Sequence, residues 1–467
     1  MPSRQKWEVL RARHPRFVYE SYSLETVGEE LQARFHFRIE PRIEFAPEIT
    51  FERIDQRRVE AIPKAALENL VFHLGLIEML SYWKASCAPE IVVRAGTLNS
   101  EQQAWWTELI HRGMGEYFHV NRIDFQRTEV VRITAGREGK PQDEKQTPRF
   151  VGDDNQRDLV LTSGGKDSVV TLELLREAGR EFDCLLLNPA EAARAVVRQA
   201  GCGRPVVIRR TLDPRLLELN AAGYLNGHTP FSALLAILGV AAAVLGGYRR
   251  VIVSNERSAE QATLQLPEGE VNHQYSKTFH FERGFRRYAQ TYLASGVEYF
   301  SLLRPLYELQ IARLFSCYPQ YFSLFRSCNR AVDRNAWCCR CPKCLFVYAA
   351  LYPFLGKQQL DGIFGEDLFA REGAAEGLRA LLGMDRDKPF ECVGTKEETL
   401  AAIYLCVEKA RGEGRGLPPA LRAMEETVLS SRSDLPALAE SILTAWTDEH
   451  HLPPELAEAV RQKVIRR

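Results

Sequence analysis

Short apolar runs alternate with helical patterns through the middle of the chain, and this alternation predicts a sheet. The runs span residues 159–161, 184–187, 206–208, 251–253 and 299–303. After the first run, Val169, Leu172 and Leu175 place apolar side chains on one face of a helix. Strands separated by helices form parallel sheets with helices on both faces. We therefore predict an α/β fold with a five-stranded parallel sheet for residues 158–346, with ligands at the carboxyl ends of its strands.

The regions on either side of the predicted sheet have different patterns. Residues 1–147 combine strand-like alternation with helical spacing, which predicts an N-terminal α+β domain. Residues 347–467 carry helical apolar stripes and predict a helical C-terminal region. The polar, proline-containing segment 137–158 is typical of a linker or a flap. A chain of 467 residues is long enough for two or three such domains.

Composition narrows the class of protein. Lys plus Arg and Asp plus Glu number 61 each, so the chain has no positive net charge to attract a nucleic acid. We therefore expect no nucleic-acid partner. The longest uncharged apolar run, 231–247, is shorter than the roughly 20 residues of a membrane span and predicts a buried helix. Eleven cysteines and no signal-like N-terminus predict a reducing compartment, the cytoplasm.

The strongest candidate for a functional site is the stretch Ser163-Gly-Gly-Lys-Asp-Ser168, which directly follows the first predicted strand. Gly164 and Gly165 allow positive φ and a close approach of the backbone to a ligand. The helix that follows directs its free N–H groups and its positive dipole end into this turn, which favours phosphate. Lys166 adds a cation, and Asp167 is a candidate ligand for magnesium. The Walker and Rossmann spacings are absent.

This stretch resembles the PP-loop of the N-type ATP pyrophosphatases, which split ATP into AMP and pyrophosphate to adenylate a substrate oxygen. The resemblance implies an adenine nucleotide alpha hydrolase-like sheet, with ATP as a co-substrate and Mg²⁺ as a cofactor. It also implies a set of nucleotide-binding residues, namely Ser163, Gly164, Gly165, Lys166, Asp167 and Ser168.

Cysteines after the predicted sheet give a second signal. Cys338, Cys341 and Cys344 have C-x2-C-x2-C spacing, and Cys328 supplies a fourth thiol, while Cys339 is spare. Four thiolates on tight turns can close a tetrahedron around zinc, so we predict one structural Zn²⁺. The arrangement is similar to the cysteine cluster that follows the PP-loop domain in deazaguanine nitrile synthases. Reduced, buried thiols are the alternative interpretation.

Polar residues also mark other strand ends and helix starts. Glu256 follows the fourth predicted strand, at the edge where substrate or magnesium would bind, although an ordinary loop would look the same. His228 precedes the predicted buried helix, where Thr229 is a candidate N-cap. The stretch 390–395 comes directly before another helical pattern, so it is a further candidate for a phosphate-facing helix start.

The chain as a whole resembles one family, the UDP-N-acetylmuramoyl-L-alanyl-L-glutamate epimerases, named MurL. The resemblance is carried by residues 69–78, 163–168, 225–232, 254–256, 271–277, 337–344 and 388–395. It implies conversion of the terminal L-glutamate of the nucleotide-linked muramoyl dipeptide to D-glutamate, with ATP and magnesium, in peptidoglycan synthesis. Removing and returning the α-proton needs an acid and a base, and the candidates are His228, Glu256, His273 and Lys277.

Three alternatives stay open from the sequence. A tRNA-modifying PP-loop enzyme is disfavoured by the balanced charge. A PP-loop synthetase that forms an amide or nitrile on a small acid would use the same loop. A zinc-stabilised scaffold with a degenerate loop is disfavoured because Lys166 and Asp167 are both present.

Overall fold

The structure is a computed structural model that describes residues 3–125, 130–135, 157–266, 269–385 and 387–465. The strands of this part of the chain are β1 (Arg16–Val27), β2 (Glu30–Ile39), β3 (Ile43–Phe45), β4 (Glu48–Phe51), β5 (Glu90–Val93), β6 (Arg132–Ala135), β7 (Asp158–Leu161), β8 (Phe182–Leu187), β9 (Val206–Thr211), β10 (Arg250–Val253), β11 (Leu264–Leu266), β12 (Gly269–Val271) and β13 (Glu298–Ser301). Eleven of them form one sheet in the order β13-β10-β7-β8-β9-β4-β2-β1-β5-β6, with β3 beside β2.

Five neighbouring strands of this sheet, β13, β10, β7, β8 and β9, are parallel to one another. They coincide with the five apolar runs of the sequence. Side chains alternate between the two faces of a strand. On β7, Leu159 belongs to a core with the leading residues and the helix at residues 231–246, whereas Val160 belongs to a core with the C-terminal helices. Helices therefore cover both faces of the parallel strands, as the sequence predicts.

The leading strands are not separated from this parallel part. β4 pairs antiparallel with β9, with Ile49 opposite Arg210, so the sheet continues from one region into the other. The apolar core is also shared between the leading residues and the helix at 231–246. The expected boundary near residue 147 therefore does not coincide with a break in the sheet or in the core. Residues 137–156 of the predicted linker lie outside the described part of the chain.

The leading part of the chain contains helices α1 (Ser3–Arg13), α2 (Gln56–Ala61), α3 (Lys64–Glu78), α4 (Leu80–Trp83), α5 (Ser100–Gly113) and α6 (Gly115–Val120). The helices around the parallel strands are α7 (Lys166–Glu177), α8 (Glu191–Gln199), α9 (Arg215–Ala221), α10 (Phe231–Gly246), α11 (Phe279–Tyr292) and α12 (Glu308–Phe315). The C-terminal helices are α13 (Pro342–Leu351), α14 (Lys357–Phe364), α15 (Ala374–Leu381), α16 (Lys396–Gly412), α17 (Pro419–Met424), α18 (Leu435–Leu443) and α19 (Pro454–Ile465). Over residues 347–465, the described residues form helices joined by turns and irregular segments, and none of these described residues is in a strand.

The uncharged apolar run is helix α10, and most of its side chains are buried in the core of the sheet. It ends at Gly247, whose φ is 76°. Its N-cap is Pro230 rather than the predicted Thr229, so the helix begins one residue later than the pattern suggests. Within the described part of the chain, we find no helix that combines the length and apolarity of a membrane span.

Candidate active site

The glycine loop connects β7 to α7 at the carboxyl end of the sheet. Gly164 has a φ of 82°, and a Cβ on it would lie 2.5 Å from the backbone nitrogen of Ala193, so no other residue fits here without a shift. Gly165 is the N-cap of α7, and no side chain caps this helix. The Ser163 backbone N–H donates to Ser168 Oγ over 3.0 Å, which closes the turn. The loop thus has the strand–turn–helix geometry that the sequence predicts.

Lys166 is buried beneath the glycine loop. Its side chain is only 1% exposed, and its ammonium pairs with the carboxylates of Asp167 and Glu308. Burial disfavours the charged amine, but the two carboxylates outweigh it and raise the pKa of Lys166 above its usual range. Glu308 is buried as well, and burial together with Asp167 raises its pKa to about 7. Lys166 is therefore a fixed cation at the base of the loop, tied to a carboxylate that comes 142 residues later.

A cavity of about 260 Å³ opens beside this loop. Its walls come from the loop, from the carboxyl ends of β7, β8 and β10, and from the start of α10. The lining residues that bear polar groups are Thr162, Ser163, Asp167, Ser168, Ser232, Ser254, Asn255, Lys277 and Tyr299. Apolar side chains such as Leu185, Ile208 and Leu235 line the rest. An apolar pocket with a few converging polar groups is the usual form of a small-molecule site.

A second cavity, of about 430 Å³, lies beside the cysteine cluster and contains Arg330, Arg340 and Arg371 in its walls. It is the larger of the two, but it shares no lining residue with the cavity at the glycine loop. The smaller cavity is the candidate active site, because the glycine loop, the strand ends and Lys277 converge there.

Two of the predicted acid and base residues meet at the cavity. Lys277 lines it, and its Nζ lies 3.7 Å from Oε1 of Glu256. That oxygen is buried and accepts no hydrogen bond from any described residue. Burial opposes the charge on Lys277, but neighbouring anions outweigh burial and raise the pKa of its ammonium. Lys277 is thus a cation that lines the cavity beside the glycine loop and faces the Glu256 carboxylate.

The two predicted histidines lie together. Their ring centroids are 4.5 Å apart, and both approach Glu116 of α6. His273 Nδ1 pairs with the Glu116 carboxylate, while His228 Nδ1 lies 3.7 Å from the same oxygen. Burial disfavours the protonated ring of His273, but bonds to Cys392 and Glu116 raise its pKa to about 9. Burial and the neighbouring His273 lower the pKa of His228 to about 4, so at neutral pH His273 is charged and His228 is neutral.

The four predicted zinc ligands converge. One sulfur from each of Cys328, Cys338, Cys341 and Cys344 lies within 4.8 Å of the others. Cys344 Sγ is 3.8 Å from Cys338 Sγ and 3.4 Å from Cys341 Sγ. Tetrahedral zinc–thiolate bonds of about 2.3 Å place sulfurs about 3.8 Å apart, so this donor set fits zinc. The spare thiol, Cys339, points elsewhere and donates to the Phe364 carbonyl over 3.4 Å.

Sequence reasoning missed several residues of this site. Glu116 and Glu308 carry no local signal, because their roles depend on contacts with residues more than 140 positions away. Cys392 lies in the stretch 390–395, which we interpreted as a phosphate-facing helix start. At that helix, Thr395 Oγ1 accepts from the Glu398 backbone N–H, and the Glu398 carboxylate accepts from the Thr395 backbone N–H, in a capping box. The helix start therefore supports its own cap rather than an anion site.

The fold and the cavity together define an α/β protein whose candidate active site lies at the carboxyl ends of its central parallel strands. The family model for the MurL N-terminal domain matches residues 9–302, and that for the MurL C-terminal domain matches residues 324–433. The chain belongs to the MurL family. Its relatives are epimerases, which are isomerases, and the chain is an enzyme of that class.

Three relatives carry the name UDP-N-acetyl-alpha-D-muramoyl-L-alanyl-L-glutamate epimerase. The protein from Micromonospora sp. is 37% identical over 85% of this chain and 87% of its own length. The protein from Xanthomonas oryzae pv. oryzae is 36% identical over 85% of this chain and 86% of its own length. The protein from Salinispora tropica is 38% identical over 74% of this chain and 75% of its own length. No solved structure matches the chain.

Proposed function

We propose that this enzyme inverts the terminal L-glutamate of UDP-N-acetylmuramoyl-L-alanyl-L-glutamate to D-glutamate, with ATP converted to AMP and pyrophosphate. The substrate is the one in the names of its relatives. The observation that carries the ATP-dependent part is the position of Lys277. It lines the same cavity as Ser163 and Asp167 of the glycine loop, and it also faces the buried carboxylate of Glu256. A site for activating a carboxylate thus adjoins groups that can move a proton.

The loop suits the phosphates of ATP. The uncapped start of α7 offers backbone N–H groups, and the narrow approach at Gly164 brings the backbone close to a ligand. Ser163 and Ser168 line the cavity and add hydroxyl donors. Lys166 supplies a fixed positive charge beneath them. We assign the six residues 163–168 to the nucleotide.

Asp167 suits magnesium. Its side chain is 25% exposed and lines the cavity. Burial opposes the charge of this carboxylate, but nearby lysines outweigh burial and keep its pKa below the usual value. A carboxylate that stays ionised at a phosphate site is the usual protein ligand for this ion. When bound, magnesium neutralises charge on the phosphates.

Activation by ATP answers a chemical problem of the reaction. The α-hydrogen beside a free carboxylate is hard to remove, because deprotonation builds a second negative charge on the same group. Once the carboxylate is joined to AMP, the charge of the enolate can spread onto the carbonyl oxygen, where hydrogen-bond donors and cations stabilise it. A proton taken from one face and returned to the other then gives the D-epimer, and hydrolysis releases AMP.

The charge states of the four candidate residues suggest different roles. Lys277 and His273 are cations and can donate a proton or stabilise the enolate oxygen. His228 is neutral at pH 7 and has acceptor capacity. Glu256 is 1% exposed, and its proximity to Lys277 favours a role in holding that ammonium.

We propose that the reaction takes place in the cytoplasm, where the reducing environment matches the eleven unpaired thiols.

A panel of acceptors tests this proposal directly. The enzyme would be supplied with ATP, magnesium and, in separate reactions, the UDP-linked dipeptide, free L-glutamate, other small acids and tRNA, and AMP formation would be measured. We expect AMP only with the UDP-linked dipeptide. The matched control is the same compound with its terminal α-carboxylate replaced by a carboxamide, which cannot be adenylated there. Faster AMP formation with a small acid or with tRNA would contradict the proposal and indicate a synthetase or a tRNA-modifying enzyme.

A further inference from the structure

None of the roles assigned above uses the cavity beside the cysteine cluster. Its volume is about 430 Å³, and it shares no lining residue with the cavity at the glycine loop, which measures about 260 Å³. Small-molecule sites usually have volumes of about 300–1,000 Å³. The smaller cavity lies below this range, so it cannot also enclose the nucleotide end of a UDP-linked substrate once ATP is bound. That end of the substrate needs a second place to bind.

Arginines dominate the charged groups of the larger cavity. Arg330, Arg340 and Arg371 line it. Glu372 and Asp387 are the carboxylates in its walls, so three cations stand against two anions. The guanidinium group is planar and has five N–H donors in a fixed fork, which matches the oxygens of a phosphate. The cavity therefore favours a ligand that carries phosphate.

Two of these arginines are not engaged by the protein itself. Arg330 and Arg340 are exposed, and neither side chain pairs with a carboxylate or donates a hydrogen bond to any residue that the structure describes. Arg371 is half-buried, and its Nε lies 3.6 Å from Oε2 of Glu366. A partly exposed ion pair of this length is weak, so the Arg371 guanidinium remains able to bind a ligand.

The cysteine cluster fixes the backbone that carries the two unpaired arginines. Arg340 lies directly before Cys341, and its backbone N–H donates to Cys338 Sγ over 3.5 Å. Arg330 comes two residues after Cys328, whose sulfur lies within 4.8 Å of the other sulfurs of the cluster. The folded cluster therefore presents both arginines to one cavity. Such fixation lowers the entropic cost of binding.

The segment that carries Arg330 also contacts the glycine loop. The Arg326 backbone N–H donates to the Gly164 carbonyl oxygen over 3.0 Å. Four residues of extended chain span at most about 14 Å, so the Cα atoms of Arg326 and Arg330 lie within that distance of each other. Asn329 Nδ2 donates to Glu391 Oε2 over 2.9 Å, which ties the segment to the turn before α16. One short, hydrogen-bonded segment thus joins the two cavities.

We propose that the larger cavity binds the diphosphate of the UDP-linked substrate, with Arg330 and Arg340 as its main ligands and Arg371 as a third cation. This role rests on the proposed function and deepens it, because it gives the nucleotide end of the substrate its own site. In UDP-N-acetylmuramoyl-L-alanyl-L-glutamate, a sugar and an alanine separate the diphosphate from the terminal glutamate. Two neighbouring cavities suit a compound with anionic groups at both ends.

The other groups in the walls suit the rest of the nucleotide. Leu345, Leu368 and Pro389 offer apolar surface to the uracil ring. Glu372 and Asp387 can accept hydrogen bonds from ribose hydroxyls or from the uracil N–H. These carboxylates also repel a ligand that offers only negative charge, such as pyrophosphate. UDP should therefore bind here more tightly than pyrophosphate.

Binding of UDP, uridine and pyrophosphate to the full-length protein tests this site. Calorimetric titrations would be carried out on the wild type, Arg330→Ala, Arg340→Ala and Arg283→Ala, with and without a saturating non-hydrolysable ATP analogue and magnesium. Arg283→Ala is the matched control, because Arg283 is an exposed arginine on α11 that lines neither cavity. Thermal unfolding of all four proteins would be measured on the same preparations and should be alike, since the three substituted side chains are exposed.

We expect UDP to bind the wild type and to bind each cavity variant about 10- to 100-fold more weakly, the usual effect of losing a hydrogen bond to a charged group. Uridine, which has no phosphate, should bind all four proteins equally, and Arg283→Ala should match the wild type. Equal UDP affinity in the wild type and both cavity variants would overturn the proposal. So would displacement of UDP by the ATP analogue, or binding of pyrophosphate as tight as that of UDP.

Steady-state kinetics test the same contacts during turnover. With the UDP-linked dipeptide as the varied substrate, Arg330→Ala and Arg340→Ala should raise KM by about 10- to 100-fold and leave kcat and the KM for ATP nearly unchanged. This pattern marks contacts made equally in the ground state and the transition state. An unchanged KM for the dipeptide would overturn the role of the larger cavity alone. Failure of the wild type to form AMP with this substrate would overturn the proposed function, and this role with it.

Discussion

Replacing Lys166 with alanine is expected to lower AMP formation by about 10³-fold or more, because the phosphates lose a fixed, buried cation. The same change leaves Glu308 buried without its partner. Removing one member of a buried ion pair typically costs about 3–5 kcal/mol of folding stability, so the variant should also unfold at a lower temperature. Rates of AMP formation and thermal unfolding curves would measure the two effects separately.

Asp167→Asn is expected to lower AMP formation without lowering folding stability. Its side chain is partly exposed, and Lys166 keeps Glu308 as a second partner, so the fold should change little. AMP formation should nevertheless fall steeply, because an amide is a poor magnesium ligand beside phosphate. Lys409→Ala is the control: this half-buried lysine donates to the Pro353 and Leu355 carbonyls and contacts neither loop nor cavity. Wild-type AMP formation in Asp167→Asn would show that the glycine loop is not the ATP site.

Loss of the zinc-type cluster is expected to unfold the segment that carries it. The apparent binding free energy of a structural zinc is about 10–16 kcal/mol and is part of the folding free energy. We expect about one zinc per chain, and we expect Cys341→Ser to lose the metal together with a large fraction of its thermal stability. Metal analysis and thermal unfolding would be measured on the same preparations.

Cys339→Ser is the matched control for this prediction. Cys339 is adjacent in sequence and buried, but its sulfur faces the Phe364 carbonyl instead of the other thiols. This variant should keep zinc and most of its stability. A fully active protein that contains no zinc when purified without chelators would show that the four thiols are merely reduced and buried.

The sequence predicted the parts of the site that depend on local structure. The strand, glycine turn and helix at 158–177 lie within one short segment, so periodicity and glycine spacing are sufficient to predict them. The spacing of three of the four clustered cysteines is local as well. By contrast, the burial of Lys166 depends on Glu308, which reaches it from α12, and a polar stretch read alone looks solvated.

Long-range pairing explains the other differences. The sheet runs on from the leading residues into the parallel strands because β4 pairs with β9, the last of the five parallel strands, and backbone pairing leaves no side-chain signature in either strand. Likewise, Glu116 comes 157 residues before His273, and neither residue alone shows that the two side chains pair. The pair becomes visible only when the fold brings the two residues together.

The central claim, inversion of an activated glutamate, is tested most directly by isotope uptake. The wild-type enzyme would be incubated with UDP-N-acetylmuramoyl-L-alanyl-L-glutamate, ATP and magnesium in heavy water, and the glutamate would be analysed for configuration and for deuterium at its α-carbon. We predict D-glutamate with one deuterium at the α-carbon and stoichiometric AMP and pyrophosphate. Formation of AMP with neither inversion nor deuterium uptake would contradict the account and indicate a ligase.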